Sequence, residues 1–123
     1  MAKRKRAWEP PEFEHSLHGP IPVEVVENLV DEEGKACEGI AHVYDRTIRL
    51  KSELPDLAMR IALIHEWGHM LLRDSGFSVG LGAGQEEVLV DLWANAIVAR
   101  EDFHAARSSP RKRRSPRGAS RGA

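Results

Sequence analysis

His65-Glu66-Trp67-Gly68-His69 lies in a stretch with the apolar spacing of an amphipathic helix. Helical residues four apart sit about one turn apart on the same face, so both imidazoles can reach one ion. The intervening glutamate projects roughly 100° further round the axis, where it can meet a water held by that ion. Two neutral nitrogen donors and a carboxylate base are the parts a zinc hydrolase needs. With six histidines in the chain, chance placement gives this pentapeptide about three times in a hundred such sequences. Its surroundings therefore decide between a metal site and an ordinary helix with two packed or solvated histidines, and they favour the metal.

Ser52 or Glu53 is expected to cap that helix, with Pro55 in its first turn and Asp56 complementing the positive end of the dipole. Ala58, Ile61, Ala62, His65, Gly68, His69 and Leu72 fall on one stripe, apolar except for the histidines. Gly76, shortly after Arg73, is a stop signal. Gly68 costs about 1 kcal/mol of helix propensity relative to alanine, which a close approach by another segment would explain.

A second helix is expected from near Gln85 to about Phe103. Glu87, Val90, Asp91, Ala94, Ile97 and Val98 share one face, and burying a carboxylate there is costly without a cation. An ion on the preceding helix is such a cation. Glu86 is the acid best suited to face water instead.

Upstream, Val23 to Val26 alternates weakly and reads as a strand, with a short helix from Pro22 to Leu29 as the alternative. Asp31-Glu32-Glu33-Gly34 is a turn. Ile40–Tyr44 and Thr47–Lys51 alternate and are separated by Asp45-Arg46, which suits a hairpin. The four glycines between Gly76 and Gly84 suit a flexible loop. The order strand, strand, strand, helix, helix predicts an α+β fold, a small antiparallel or mixed sheet followed by the two ligand-bearing helices.

At 123 residues the chain is one domain at most. Its total charge of −1 conceals segregation. Residues 3–6 are all basic, residues 107–123 carry seven arginines and lysines with no acid, and every aspartate and glutamate lies between 7 and 106. That middle segment holds about −12 with neutral histidines. The division expected is a flexible, basic and proline-containing extension over 1–19, a folded domain over 20–106, and a basic disordered tail over 107–123. The tail can bind nucleic acid or another anionic partner through counterion release, act as a solvated extension, or fold back on the acidic body. Cys37 is alone, which excludes an intramolecular disulfide framework. No apolar stretch approaches ~20 residues, so no membrane span is expected. The basic start runs into Trp8-Glu9-Pro10-Pro11 rather than an apolar core, so a cytoplasmic protein is the expectation.

Leu54 to Glu101 resembles the small zincin-type metallopeptidases of the ImmA/IrrE kind and their short phage-encoded relatives. The resemblance rests on His65-Glu66-Trp67-Gly68-His69 with Met70-Leu71-Leu72, and on Glu86-Glu87-Val88-Leu89-Val90-Asp91-Leu92-Trp93-Ala94-Asn95. It covers about half the chain and implies a minimal zincin-like fold, with an acidic third ligand on the second helix. Matching Ala94-Asn95 to the family's A-N step makes Asp91 that ligand; matching the Glu-Glu pair of the shorter relatives makes it Glu87. Glu87 is preferred for its longer reach, leaving Asp91 to hydrogen-bond a ligating histidine. Ile97-Val98-Ala99-Arg100 stands where the ImmA/IrrE helix typically ends in L-L-M-P, a departure from the close family pattern.

The expected function is a zinc-dependent peptidase acting on a protein or peptide. His65, His69 and one carboxylate hold one Zn²⁺ per chain, and Glu66 is the general base. Manganese, iron and cobalt suit the same donors. Tyr44 and His42 are candidate oxyanion donors, and an exposed hairpin strand offers strand addition to an extended substrate. The alternatives are a zinc-binding interaction protein without turnover and a nucleic-acid-associated protein acting through its basic ends.

Overall fold

The structure, a computed structural model, describes residues 7–108. It is α+β. Four strands, β1 (Phe13–Glu14), β2 (Ile21–Val26), β3 (Gly39–His42) and β4 (Thr47–Lys51), precede two helices, α1 (Asp56–Ser75) and α2 (Ala83–Ser108). A 3-10 turn, Phe77–Gly80, separates the helices.

The sheet is mixed, in the order β1-β2-β4-β3. β3 and β4 form the expected antiparallel hairpin, with His42 opposite Thr47. Its turn takes four residues, 43–46, rather than two, so Tyr44 lies outside the strand. Arg46 closes the turn at φ 52°. β2 is a strand and not the alternative helix; it runs parallel to β4, pairing Val23 with Ile48 and Val25 with Leu50.

One face of the sheet is buried under α1. Ile21, Ile48 and Leu50 are fully buried there, against Met59, Leu63 and Met70 of the helix. On β3 that face carries only Gly39 and Ala41, which lie opposite Leu50 and Ile48; Ile40 and His42 point to the other side. α1 approaches so closely that a Cβ on Gly39 would stand 3.0 Å from Glu66 Cγ.

α1 is buried on two sides. Met59, Ala62, Leu63 and Met70 face the sheet, whereas His65, Gly68 and His69 face α2. The histidine stripe is therefore a helix–helix contact and not the main core face. Pro55 itself is the N-cap, extended at φ −63° and ψ 161°, in place of Ser52 or Glu53. Gly76 ends the helix at φ 85° with its N–H on the Arg73 carbonyl, as a C-terminal glycine does.

α2 begins at Ala83, two residues before Gln85, because Gln85 Oε1 accepts the Gly82 N–H at 3.0 Å and holds the first turn. It buries Val90, Ala94 and Val98. The Gly76–Gly84 connection is mostly the ordered 3-10 turn, not a loose loop. Of the tail expected over 107–123, Arg107 and Ser108 belong to α2; residues 109–123 lie outside the described residues, as do residues 1–6 of the basic start.

Of the flexible extension expected over 1–19, residues 7–19 are described and take part in the fold, while 1–6 lie outside the described residues. β1 pairs with β2, and Trp8 packs on the core. Trp67 Nε1 donates to the His15 carbonyl at 2.6 Å. Arg46 donates to both carboxyl oxygens of Asp74 (2.8 and 3.1 Å) and to Ser16 Oγ (2.8 Å), joining this segment to the hairpin turn and the end of α1. Asp74's side chain is 4% exposed and Arg46's 32%. The guanidinium beside Asp74 holds that carboxyl below its usual range, overcoming the opposing effect of burial.

Candidate metal centre

The site forms where the middle of α1 meets the first turns of α2. The helices can close on each other because position 68 has no side chain: a Cβ there would meet Val90 Cγ1 at 3.0 Å and Trp93 Cε3 at 3.2 Å. Trp67 and Trp93 pack beside this contact, ring centroids 5.5 Å apart. His65 and His69, one turn apart, place their rings 5.0 Å apart, edge to face.

Glu87 reaches between them. Its Oε2 lies 2.9 Å from His65 Nε2 and its Oε1 3.1 Å from His69 Nε2. One donor atom from each of the three residues falls within 4.8 Å of the others. Ligands at about 2.0–2.2 Å from a tetrahedral ion are roughly 3.3–3.5 Å apart, a few tenths of an ångström more than the two imidazole–carboxylate contacts. Glu87's side chain is 59% exposed, so the cluster opens to solvent on one side.

The far nitrogens of both rings are also engaged. Asp91 Oδ1 lies 3.3 Å from His65 Nδ1, and Glu86 Oε2 lies 2.6 Å from His69 Nδ1. Carboxylates in this position fix the rotation and tautomer of a metal-binding imidazole and raise its basicity. Of the two candidates for third donor, the structure puts Glu87 at the Nε2 pair and Asp91 behind His65.

Glu86 does not face water, contrary to expectation. Its other oxygen accepts from Ser78 Oγ at 2.9 Å. Burial raises its pKa, but hydrogen bonds from His69 and Ser78 and the charges of His69 and Arg73 outweigh that and hold it below the ordinary value. Ser78 stands in the 3-10 turn, so a loop hydroxyl, a carboxylate and an imidazole form one chain of contacts. Spacing within α2 gave no signal for this, because the partner approaches from the preceding turn.

Glu66 points toward β3, on the opposite side of the histidines from Glu86. A cleft of about 310 Å³ runs from Glu38 and Gly39 past Glu66 and His65 to Glu87 and Asp91. Burial pushes the Glu66 carboxyl above its ordinary pKa. The charges of His65 and His69 oppose this, Glu87 reinforces it, and a backbone hydrogen bond from Ala41 opposes it. No lysine or arginine lines the cleft among the described residues, so its carboxylates lack a side-chain cation other than the imidazoles.

Tyr44 and His42 are not part of this cleft. Tyr44 is 99% exposed in the hairpin turn, and both residues line a separate groove on the outer edge of β3. Cys37, half-buried, has its thiol pKa raised by burial, with Asp31 and Glu66 adding to the effect and Lys51 opposing it. No described helix is long and apolar enough to cross a membrane. Comparison of the chain with protein families, with curated proteins and with solved structures returned no match.

Proposed function

We propose that this protein is a zinc-dependent peptidase of minimal zincin-like architecture, kin to the small ImmA/IrrE-type enzymes and working in the cytoplasm. The observation that carries the reading is the carboxylate of Glu87 lying between the Nε2 atoms of His65 and His69, with Glu66 beside them in an open cleft. His65, His69 and Glu87 would hold the ion, and Glu86 and Asp91 would orient the two rings. A two-imidazole, one-carboxylate donor set suits catalytic zinc, which keeps a further position open. When bound, zinc supplies Lewis acidity and lowers the pKa of water from about 15.7 toward about 7.

Glu66 supplies the proton handling. It lines the cleft beside His65 and Glu87, where a general base acting on a water held there must sit. It accepts a proton from the attacking water and returns it to the leaving amine. β3 is the outer strand of the sheet and borders the cleft at Gly39. Ala41's N–H on that edge serves Glu66; the other outward backbone groups of β3 would hydrogen-bond an extended peptide and align a carbonyl with Glu66.

Replacing Glu66 by Gln tests the reading directly. Elemental analysis should still find about one zinc per chain, with hydrolysis reduced by at least about 10². Turnover equal to that of the parent would dismiss Glu66 as the base. Absence of turnover in zinc-loaded parent protein, across a broad peptide library, would leave a zinc-binding interaction protein as the better description.

A further inference from the structure

A second depression, of about 370 Å³, lies farther along β3, next in sequence to the strand residues that line the metal cleft. The metal cleft touches Glu38 and Gly39; the groove takes up at Ile40 and runs through Ala41 and Val43 to Asp45. Consecutive residues whose side chains point to opposite faces of the sheet line it together, so it follows the strand's outer edge. Its far wall is the turn Asp31-Glu32-Glu33.

The groove has an apolar floor and an acidic rim. Asp31 is occupied locally, accepting the backbone N–H groups of Glu33 and Lys35 at 2.8 and 2.9 Å, and the Asp45 carboxyl makes a 3.5 Å contact to Arg49. Glu32 and Glu33 are exposed and have no cationic partner among the described residues. A strand laid along this edge would bring side chains to that rim within about five residues of the metal cleft, at about 3.3 Å per residue. We infer that the groove beside β3 selects extended peptides carrying lysine or arginine on that side of the scissile bond, with Glu32 and Glu33 as the specificity-determining residues. The inference rests on the peptidase reading above.

The test uses the full chain loaded with zinc and three peptide pools of equal length, lysine/arginine-rich, neutral and aspartate/glutamate-rich. Cleavage is followed by mass spectrometry, and binding to the Glu66→Gln protein by fluorescence anisotropy. The basic pool should bind and be cut preferentially. Glu32→Lys/Glu33→Lys, on an exposed turn outside the metal site, should raise KM for basic peptides about tenfold, leave kcat unchanged and flatten the salt dependence. Equal handling of all three pools, or an unchanged KM in the double variant, overturns the inference while leaving the peptidase reading intact. Charge-selective binding that the double variant abolishes, with no cleavage by the parent, supports the groove's selectivity and overturns the peptidase reading instead.

Discussion

Replacing Gly68 by alanine sets helix propensity against interhelical packing. An alanine in a helix interior is worth about 1 kcal/mol over glycine, so a helix with free space at this position would be stabilised. Here the new Cβ meets Val90 Cγ1 at 3.0 Å, Trp93 Cε3 at 3.2 Å and Val90 Cβ at 3.3 Å. Val90 is completely buried, and a β-branched side chain in a helix has essentially one rotamer. It cannot turn aside, so α2 must move. Overpacking of this kind costs about 1–3 kcal/mol, which outweighs the propensity gain and leaves Gly68→Ala destabilised by about 1 kcal/mol. For a domain of this size that is a fall in Tm of about 4–8 °C. Glu87 lies three residues before Val90, so moving α2 also draws its carboxylate off the histidines and weakens zinc binding. Urea denaturation of metal-free protein measures the first effect and chelator competition the second. Gly68→Val, with two more methyl groups in the same space, should be worse on both. A Gly68→Ala protein stabilised by the full propensity term and binding zinc like the parent would refute the close approach of the two helices.

Three further outcomes follow from the same geometry. Glu86→Gln removes the charged partner of His69 Nδ1 and should weaken zinc binding about 10–100-fold, whereas Glu87→Ala should abolish stoichiometric binding; equal affinity in Glu86→Gln and parent would dismiss the supporting role of Glu86. Gly39→Ala puts a Cβ 3.0 Å from Glu66 Cγ and 3.3 Å from its Oε2, so kcat should fall with zinc content unchanged, and an unaltered kcat would show that Glu66 is not held from β3. Asp74→Asn loses a two-point contact to Arg46, discounted because the guanidinium is about a third exposed, and should cost about 1–2 kcal/mol at pH 7. Asp74's pKa is lowered in the folded protein, so this stability is present above the unfolded carboxyl value of about 3.9 and is lost as pH falls through the folded value. Thermal melts of the pair should therefore converge in acid, and a pH-independent gap would contradict the assigned contact.

The spacing of His65 and His69 carries the convergence of their rings, since four residues on one helix admit little else. Val90, Ala94 and Val98 were legible in the same way as the buried face of α2. Asp91 behind His65 also follows from periodicity, because it sits one turn beyond Glu87. What periodicity does not contain is what another segment brings. Ser78 meets Glu86 because the 3-10 turn that follows Gly76, at φ 85°, carries it back over the start of α2. The parallel pairing of β2 with β4 leaps over the hairpin, and no local pattern in Val23–Val26 announces it. β1 is two residues long, too short for any alternation, and the N-terminal segment is held by Arg46 and Trp67 from distant parts of the chain. His42 and Tyr44 were misplaced for a related reason: small residues at Gly39 and Ala41 mark the side of β3 that α1 covers, so the bulkier neighbours lie outward.

The contact chain from Ser78 through Glu86 to His69 makes the crossover between the helices a reporter of the site. Any ligand that draws His69 into a fixed orientation steadies the Glu86 carboxylate, and with it the serine that anchors the Phe77–Gly80 turn. Occupancy and local order are thus linked, and each must favour the other by the same free energy. Protease nicking near Val79, which is 92% exposed, would read out metal loading from outside the cleft, without any substrate.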